Sequence, residues 1–323
     1  MLTLTKLAKL AHVSVSTASK AFSMSSEVNE QTREEIFRIA REHGCFKKFY
    51  NAKYPRPVVA LVCPEFRGRY YSRMVARLQE LFADAGCEVC VASTRFSGEN
   101  KKELLNYYHD YSNVDGILTI DSGNVIDRKY EIPIVALSCD QKRGADASVT
   151  FGLEQAIEQI ADHFCSAGVQ KIGYLGEKYT GNKEDILRAA LQRRGIGQMQ
   201  VFSVKSRFEK GGYEGMEQIL ALPGQERPRA VVCGYDHLAV GAIKCAYDHG
   251  LSVPGDIAIV GMDDIPEAEY LIPTLASVDI HMEEVCRAAV ETMMELLNGR
   301  PVEQEQIIPA SFVLRDSAKV ETL

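Results

Sequence analysis

From Val58 onward the sequence alternates short apolar runs with amphipathic segments, and few folds accommodate that pattern. Apolar runs typical of strands occupy residues 58–62, 88–92, 116–120 and 134–137. Segments with helical periodicity lie near 72–85 and 101–111. Strands that are apolar throughout and separated by helices are typical of a parallel sheet covered on both faces. The pattern therefore predicts a doubly wound α/β architecture.

A second series of the same kind begins after Ser148. It predicts helices at about 149–166, 185–194 and 237–250, and strands at 171–175, 200–204, 230–233 and 257–261. Two such series predict two doubly wound lobes. A ligand is expected in the cleft between them, where the strand ends meet.

Charge is distributed unevenly along the chain. Residues 1–57, which we call the head, hold ten Lys and Arg against five Asp and Glu, whereas residues 58–323, the body, hold 27 against 39. A basic head on an acidic body fits a protein that attracts a polyanion at one end, although a solvated surface gives the same excess.

The sequence contains no run of 18 apolar residues and no export signal, since Lys6, Lys9, His12 and Lys20 interrupt its beginning. We therefore expect a cytoplasmic protein without a membrane span. Nine cysteines are scattered along the chain, with one C-x-x-C at Cys87 and Cys90. Without a second pair or a nearby His to complete a zinc site, they are interpreted as core thiols, and no metal or cofactor is expected.

Three short helices are predicted in the head. Thr3, Ser14 and Asn29 are the expected N-caps, and Gly44 is the expected stop. His12 lies in the tight turn between the first two helices, where it is expected to adopt a left-handed backbone. In the second helix, Val15, Ala18 and Phe22 are predicted to face inward, while Ser16, Thr17, Ser19 and Lys20 stay outside.

Two short helices across a tight turn, supported by a third, form a helix-turn-helix. Small polar side chains at the start of the second helix let its backbone approach base edges in a major groove. On helix pattern alone, a three-helix cap on an enzyme remains open.

The head contains the string Ala11-His-Val-Ser-Val-Ser-Thr-Ala-Ser-Lys20, followed by Val28-Asn-x-x-Thr32-Arg33. These strings resemble A-G-V-S-x-x-T-V-S-R and V-S-x-x-T-R, the usual pattern in the DNA-binding headpiece of the lactose/galactose repressor (LacI/GalR) family. Lys20 thus replaces an Arg, so it can reach guanine acceptors but lacks the bidentate fork.

By position, the resemblance implies that Val15, Ser16 and Lys20 face bases. It implies phosphate contacts for Thr3, Thr5, Ser14, Thr17, Ser19, Ser23, Asn29 and Thr32.

The segment after the head departs from the family pattern. Residues 45–57 lack the family's Ala-Arg-x-Leu and are about four residues short, and Pro55 and Pro57 favour an extended connector over a hinge helix. Phosphate contacts by Lys47, Lys48, Lys53 and Arg56, a minor-groove wedge at Tyr50 or Tyr54, and plain solvated linker charge all remain open.

The resemblance continues through the body, in the blocks 236–242, 250–257, 260–264, 273–278 and 314–317. It implies a helix-turn-helix domain at 1–46, an atypical linker at 47–57 and a periplasmic-binding-protein-like sensor at 58–323. Lobe 1 is placed at about 58–150 and 280–309, and lobe 2 at about 151–279 and 310–323. Crossings between the lobes are expected near 150, 235–240 and 280.

By positional match, seven residues are expected to face an effector: Tyr70, Tyr71, Ser138, Phe151, Lys183, Tyr235 and Asp263. Family sugar sensors often have Asp, Arg and Asn where Ser138, Lys183 and Tyr235 stand, so aromatic faces are kept and hydrogen-bonding forks are lost. A small carbohydrate is the leading effector. Another metabolite, a partner protein or no effector stays open, as do a space-filling Tyr235 and a solvated Lys183.

The predicted function is a DNA-binding transcriptional regulator, a repressor controlled by a small-molecule effector. It is expected to act as a homodimer on a palindromic operator, because one small head neutralises few phosphates. A solute-binding sensor of the same fold is the main alternative. A sugar-modifying enzyme is less favoured, because we find no phosphate loop, dinucleotide fingerprint, nucleophile elbow or H-E-x-x-H.

Overall fold

The computed structural model describes residues 3–49, 56–120, 126, 128–138, 144–196 and 199–320. The chain divides into two compact units, Met1–Pro57 and Val58–Leu323, which are the head and the body. None of the described helices is long and apolar enough to cross a membrane.

The described part of the head consists of four helices, α1 (Leu4–Leu10), α2 (Val15–Phe22), α3 (Glu30–Glu42) and α4 (Phe46–Phe49). Leu7, Phe22 and Ile36 are buried in the core that α1, α2 and α3 share. This is the predicted three-helix arrangement with a helix-turn-helix at its start.

The turn and caps of the head follow the predicted chemistry. Ser14 Oγ accepts a hydrogen bond from Thr17 N–H (2.9 Å), and Asn29 Oδ1 accepts one from Thr32 N–H (2.8 Å). His12 has φ 54° and Gly44 has φ 63°, the left-handed backbone that each tight turn requires.

Val15 is not an inward-facing residue, which corrects the prediction. Its side chain is 43% exposed, whereas Ala18, Ala21 and Phe22 are buried. Val15 lies on the same side of α2 as Ala18, one turn earlier. It is the first residue of the helix, and this end of α2 is not covered by the core.

The head also extends beyond the predicted boundary at residue 46. Phe46 and Phe49 of α4 place their ring centroids 5.9 and 5.7 Å from that of Phe22. The linker therefore cannot begin at 47, because these two aromatic side chains are packed on the head core. Tyr50, Lys53 and Tyr54 lie outside the described residues, as do the side chains of Lys47 and Lys48.

Lobe 1 of the body is built on a six-stranded parallel sheet with the order β11-β5-β4-β3-β1-β2. Its strands are β1 (Val58–Cys63), β2 (Glu88–Ser93), β3 (Gly116–Ile120), β4 (Ile134–Ser138), β5 (Ala147–Gly152) and β11 (Glu305–Pro309). Leu61 of β1 lies opposite Val91 of β2 on one side and Leu118 of β3 on the other. Helices α5 (Arg69–Asp84), α6 (Gly98–Tyr111) and α11 (Met282–Leu297) belong to this lobe.

Lobe 2 is built on a four-stranded parallel sheet with the order β7-β6-β8-β9. Its strands are β6 (Ile172–Glu177), β7 (Gln200–Val204), β8 (Ala230–Cys233) and β9 (Ala258–Val260). Its helices are α7 (Glu154–Ser166), α8 (Gly181–Arg193), α9 (Phe208–Leu220) and α10 (Asp236–Asp248). The two predicted parallel sheets are thus present, one in each lobe.

The chain passes between the lobes after β5, before α11 and after β11. At the last two crossings, β10 (Ser277–Asp279) pairs antiparallel with β12 (Ser311–Val313). The crossing expected near 235–240 is wrong, because β8 pairs with β6 and β9 and is followed by α10 within lobe 2. One cluster of buried apolar side chains runs through both lobes, from Val59 to Ala318.

Residues 147–152 form a strand, where the sequence predicted the start of a helix. β5 pairs with β4 on one side and with β11 on the other, so Val149 lies opposite Leu137 and Gln306. Ser148 and Thr150 break the apolar run, but their hydroxyls donate to the carbonyls of Gln304 and Gln306. Partners about 156 residues away in the chain therefore decide this element.

The different environments of Phe22 and Val15 give a stability prediction. Phe22→Ala removes a ring from the head core and should lower the free energy of opening of the head by about 3–5 kcal/mol. Val15→Ala should change it by less than about 0.5 kcal/mol, because Val15 is exposed. Native-state hydrogen exchange of peptides from α2 and α3 measures both values, and equal effects would contradict this assignment of the core.

Candidate functional site

The predicted DNA contacts lie at the beginnings of α1 and α3 and along α2. All of them are exposed or half-buried: Thr3, Thr5, Ser14, Val15, Ser16, Thr17, Ser19, Lys20, Ser23, Asn29 and Thr32. The first N–H groups of a helix carry partial positive charge, which favours a phosphate. This placement fits the expected split between phosphate contacts at helix ends and base contacts from α2.

Lys20, the expected base contact, forms an ion pair with Glu27. Both side chains are exposed, and an exposed ion pair is weak. The ammonium group of Lys20 can therefore leave Glu27 and contact a base edge. Glu27 lies in the loop after α2, where no helical spacing indicated a relation to Lys20. Arg33 holds this loop by donating to the carbonyls of Ser25 (2.7 Å) and Val28 (2.8 Å).

The candidate ligand cleft is a cavity between the lobes of the body. Six of the seven predicted effector-facing residues line it: Tyr70, Tyr71, Phe151, Lys183, Tyr235 and Asp263. Phe151 is the second-last residue of β5, and each of the other five follows the carboxyl end of a parallel strand or lies in the first turn of the next helix, as expected for a doubly wound sheet. Ser138 is buried at the end of β4 and is not among the described residues that line the cavity.

The cavity also contains residues that the sequence did not indicate. Lobe 1 supplies Glu65 and Phe96, and lobe 2 supplies Glu177, Tyr179, Thr180, Asn182, Arg207, Phe208 and His237. Most of them follow the ends of β1, β2, β6 and β7, a position that could have marked them as candidates. Positions 138, 183 and 235 lack the Asp, Arg and Asn side chains that can form paired hydrogen bonds. The cavity has side chains with this capacity at other positions.

Arg207 is the central cation of the cavity. Its two terminal nitrogens donate to the two carboxylate oxygens of Glu65 at 2.7 Å each, and its Nε lies 3.4 Å from Glu177 Oε1. Burial acts to lower the pKa of the guanidinium, but the hydrogen bonds to Glu65 and the nearby carboxylates raise it. Arg207 is therefore charged, and its planar fork is engaged on the lobe 1 side of the cleft.

Aromatic rings form much of the cavity wall. Tyr70 packs edge-on against Tyr71 (centroids 4.9 Å apart) and lies 6.4 Å from the ring of Phe151. Tyr235 accepts a hydrogen bond from the N–H of Phe208 (3.0 Å), and burial raises the pKa of its hydroxyl to about 12. Tyr235 thus fixes the backbone at Phe208 in addition to filling space.

Lys183 is not a solvated loop charge. It lies in the first turn of α8, its side chain is 15% exposed, and its ammonium donates to Gly234 O (2.7 Å) and lies 3.5 Å from Asp263 Oδ1. Burial raises the pKa of Asp263, while the charge of Lys183 acts to lower it. Asp263 has φ 114°, so a strained backbone aims this carboxyl group at the cavity.

His237 lines the cavity and has a buried ring nitrogen. Its Nδ1 lies 2.6 Å from Glu209 Oε1. Its Nε2 has no hydrogen-bond partner among the described residues, and a buried polar atom without a partner is unfavourable.

Asp236 lies beneath the cavity at the start of α10. Its carboxylate accepts hydrogen bonds from Ser277 Oγ (2.6 Å) and Ile265 N–H (2.8 Å). Burial, helped by the charge of Asp263, raises the pKa of Asp236 to about 7. Asp236 therefore joins α10 to two segments of lobe 2, and its ionised form is disfavoured.

The described residues contain no group of three or more His, Cys, Asp or Glu that could hold a metal ion. Cys87 is buried and Cys90 is half-buried, and burial raises the pKa of both thiols. Neither is in a disulfide. Both thus resemble the predicted core thiols, while Cys139 lies outside the described residues.

Two protein-family models match the chain. The model described as bacterial regulatory proteins, lacI family, matches residues 3–45, and that of the periplasmic binding protein-like domain matches residues 161–318. The lactose operon repressor of Rhizobium radiobacter is 39% identical over 108 residues, which is 33% of this chain and 94% of that protein. The probable HTH-type transcriptional repressor ExuR of Bacillus subtilis is 26% identical over 336 residues, or 99% of each chain.

Solved structures show the same fold. A putative transcriptional regulator of the LacI family from Sanguibacter keddieii has a TM-score of 0.70 and 26% identity, over 80% of this chain and 97% of that one. The lac repressor dimer bound to operator and the anti-inducer ONPF has a TM-score of 0.71 and 20% identity, over 98% of each chain. The second likeness extends over both the head and the body.

The raised pKa of Asp236 predicts how stability depends on pH. The folded state holds this proton with a pKa of about 7 against 3.8 for an ordinary Asp, so this contribution to stability is complete below pH 3.8 and is lost as the pH rises through 7. Between pH 5 and 8 the free energy of unfolding should therefore fall by about 2–3 kcal/mol from this group.

Asp236→Asn tests the assignment, because the amide keeps the shape and one acceptor but does not titrate. Urea unfolding of both proteins from pH 5 to 8 should show a flatter dependence for the variant. All other titrating groups are common to both proteins, so parallel curves would contradict the raised pKa.

Proposed function

This chain belongs to the lacI family of bacterial regulatory proteins and is a DNA-binding transcriptional repressor, and we propose that a small neutral carbohydrate in the interlobe cavity controls it. In this proposal the head reads DNA and the body senses the effector. Two copies of the chain act together on a palindromic operator.

The proposed DNA contacts are those along α2 and at the starts of α1 and α3. The main support is that the head keeps the polar residues of α2 exposed while Leu7, Phe22 and Ile36 hold the helices together. We assign base contacts to Val15, Ser16 and Lys20, because only side chains of the recognition helix can reach the groove floor. A single head offers few phosphate contacts, which favours a dimer joined through the body.

The proposed effector class follows from the donors and acceptors of the cavity. Arg207 and Lys183 are donors, Glu65, Glu177 and Asp263 are acceptors, and each of the two cations already has an acidic neighbour. A ligand with an added negative charge would meet these carboxylates and be repelled. Neighbouring hydroxyl groups both donate and accept, and an apolar sugar face can pack on Tyr70 or Phe151. A neutral carbohydrate therefore fits best.

Dependence on salt tests the DNA-binding part. Two heads that together neutralise six to ten phosphates should give a slope of log affinity against log salt of about −5 to −9 on an operator duplex. Fluorescence anisotropy with DNA from upstream of the chain's own and adjacent genes measures it. No binding to any of these duplexes at about 50 mM salt would contradict the proposal.

Lys20→Ala separates base from phosphate contact. The variant should lower the preference for operator over random DNA by about 1–3 kcal/mol, the value of one good base contact. Lys9→Ala is the matched control, since Lys9 is exposed at the end of α1 and is not a proposed contact. If Lys20→Ala weakened binding equally on both DNAs, Lys20 would contact phosphate only.

A thermal-shift panel tests the effector part, with neutral monosaccharides, uronates, nucleosides and amino acids as the probes. A ligand at about 100 times its dissociation constant stabilises the folded state by about 2.7 kcal/mol, so a true effector should raise Tm by roughly 5 °C or more. Lys183→Ala should abolish the shift and Lys210→Ala, on the exposed surface of α9, should leave it unchanged. Shifts confined to uronates, nucleosides or amino acids would contradict a neutral carbohydrate.

A further inference from the structure

Among the described residues, two ion pairs connect the lobes at the cavity. Glu65 follows β1 in lobe 1, and Arg207 follows β7 in lobe 2. The carboxylate of Glu65 accepts hydrogen bonds from both terminal nitrogens of Arg207, at 2.7 Å each. Arg69, at the start of α5, forms a second pair with Glu267 of lobe 2. The Glu65 and Arg207 side chains are 13% and 27% exposed, whereas those of Arg69 and Glu267 are 58% and 39% exposed, so the first pair is the better shielded from water.

Aromatic rings from both lobes surround Arg207. Phe96 of lobe 1 stacks on Tyr179 of lobe 2, with centroids 4.1 Å apart and planes 16° apart. The guanidinium carbon lies 5.0 Å from the ring centroid of Phe96 and 4.7 Å from that of Phe208. The ion pair is thus partly shielded from water, where both Coulomb attraction and cation–π attraction are stronger than at an open surface.

Two of these rings, Phe96 and Phe208, belong to residues with a left-handed backbone. Arg95 has φ 54° and Phe96 has φ 59°, and Phe208 on the opposite lobe also has φ 59°. Side chains other than glycine rarely adopt this left-handed conformation, because the Cβ atom crowds the following carbonyl.

We propose that Glu65 and Arg207 form a latch that holds the lobes closed without ligand, and that opening this latch is the step that changes affinity for DNA. The proposal rests on the proposed function, since it concerns the regulation of the same cavity. Arg207 and Phe208 line the same cavity that the effector is proposed to occupy, so a bound effector would lie against the latch. A ligand can shift the lobes only by its different affinity for the latched and open forms.

Hydrogen exchange of the full chain, without DNA or ligand, tests the latch. Glu65→Gln keeps the shape but removes the charge, and amide exchange should rise about tenfold in residues 64–71, 94–97 and 205–210. The strands β1, β6 and β8 should exchange as in the unchanged protein, which also shows that the variant is folded. Glu295→Gln is the matched control, because it breaks an exposed pair with Arg300 away from the cavity and should change nothing in these segments.

Arg207→Lys is the second variant. It keeps the positive charge but loses the planar fork, so it should also accelerate exchange in the three segments, to a smaller extent. Exchange that is unchanged in both variants would overturn the latch.

Affinity for an operator duplex tests the coupling to DNA. Glu65→Gln should change that affinity at least about fivefold, whereas Glu295→Gln should not. Faster exchange with unchanged operator affinity would overturn the regulatory half of the proposal. If the unchanged protein bound no duplex, the proposed function would fall, while the exchange result would still decide the latch.

Discussion

The direction of the strands is the constraint on which the body depends. All strand pairs within the two large sheets are parallel, so each sheet places the carboxyl ends of its strands at one edge. The segments that leave these edges carry Glu65, Phe96, Glu177, Arg207 and Asp263 into one cavity. Charged groups placed between two apolar cores must find partners, and Arg207 and Lys183 find them in Glu65 and Asp263. The chemistry of the cleft follows from this requirement.

The head is held together by aromatic packing, not by a parallel sheet. Its core is small, and it is completed by Phe22, Phe37, Phe46 and Phe49, whose rings pack at centroid distances of 5.0 to 5.9 Å. Because these apolar side chains hold the helices together, the polar residues of α2 remain free to face a groove. The basic excess of residues 1–57 then attracts phosphate, while the acidic body does not.

Sequence patterns predicted those elements whose local and tertiary preferences agree. β3 at 116–120, β7 at 200–204 and β8 at 230–233 were placed at the observed bounds, and α2 began and ended as its caps indicated. Helix α9 was not predicted, because Gly211, Gly212 and Gly215 weaken its helical propensity. Those glycines are needed for packing: a Cβ at Gly212 would lie 1.9 Å from the carbonyl oxygen of Leu238 in α10.

The sequence predicted only part of the candidate cavity, because only some of its residues lie next to recognisable elements. Tyr70, Lys183 and Asp263 could be placed by positional match, because they follow recognisable strands and blocks. Glu65 and Arg207 are separated by 142 residues, and nothing in either local sequence indicates the other. The inward orientation predicted for Val15 was wrong. Helical spacing shows which residues share a face of a helix, but it does not show whether the core extends beneath the first turn.

We propose that α2 is presented to duplex DNA twice in one assembly, and selection from a library of random duplexes with the full chain is the decisive experiment. We expect enrichment of an inverted repeat whose half-sites lie about one helical turn apart, with a preference that Lys20→Ala weakens at defined base pairs. Retention of duplexes without any common sequence, or enrichment of a single unrepeated site, would contradict it.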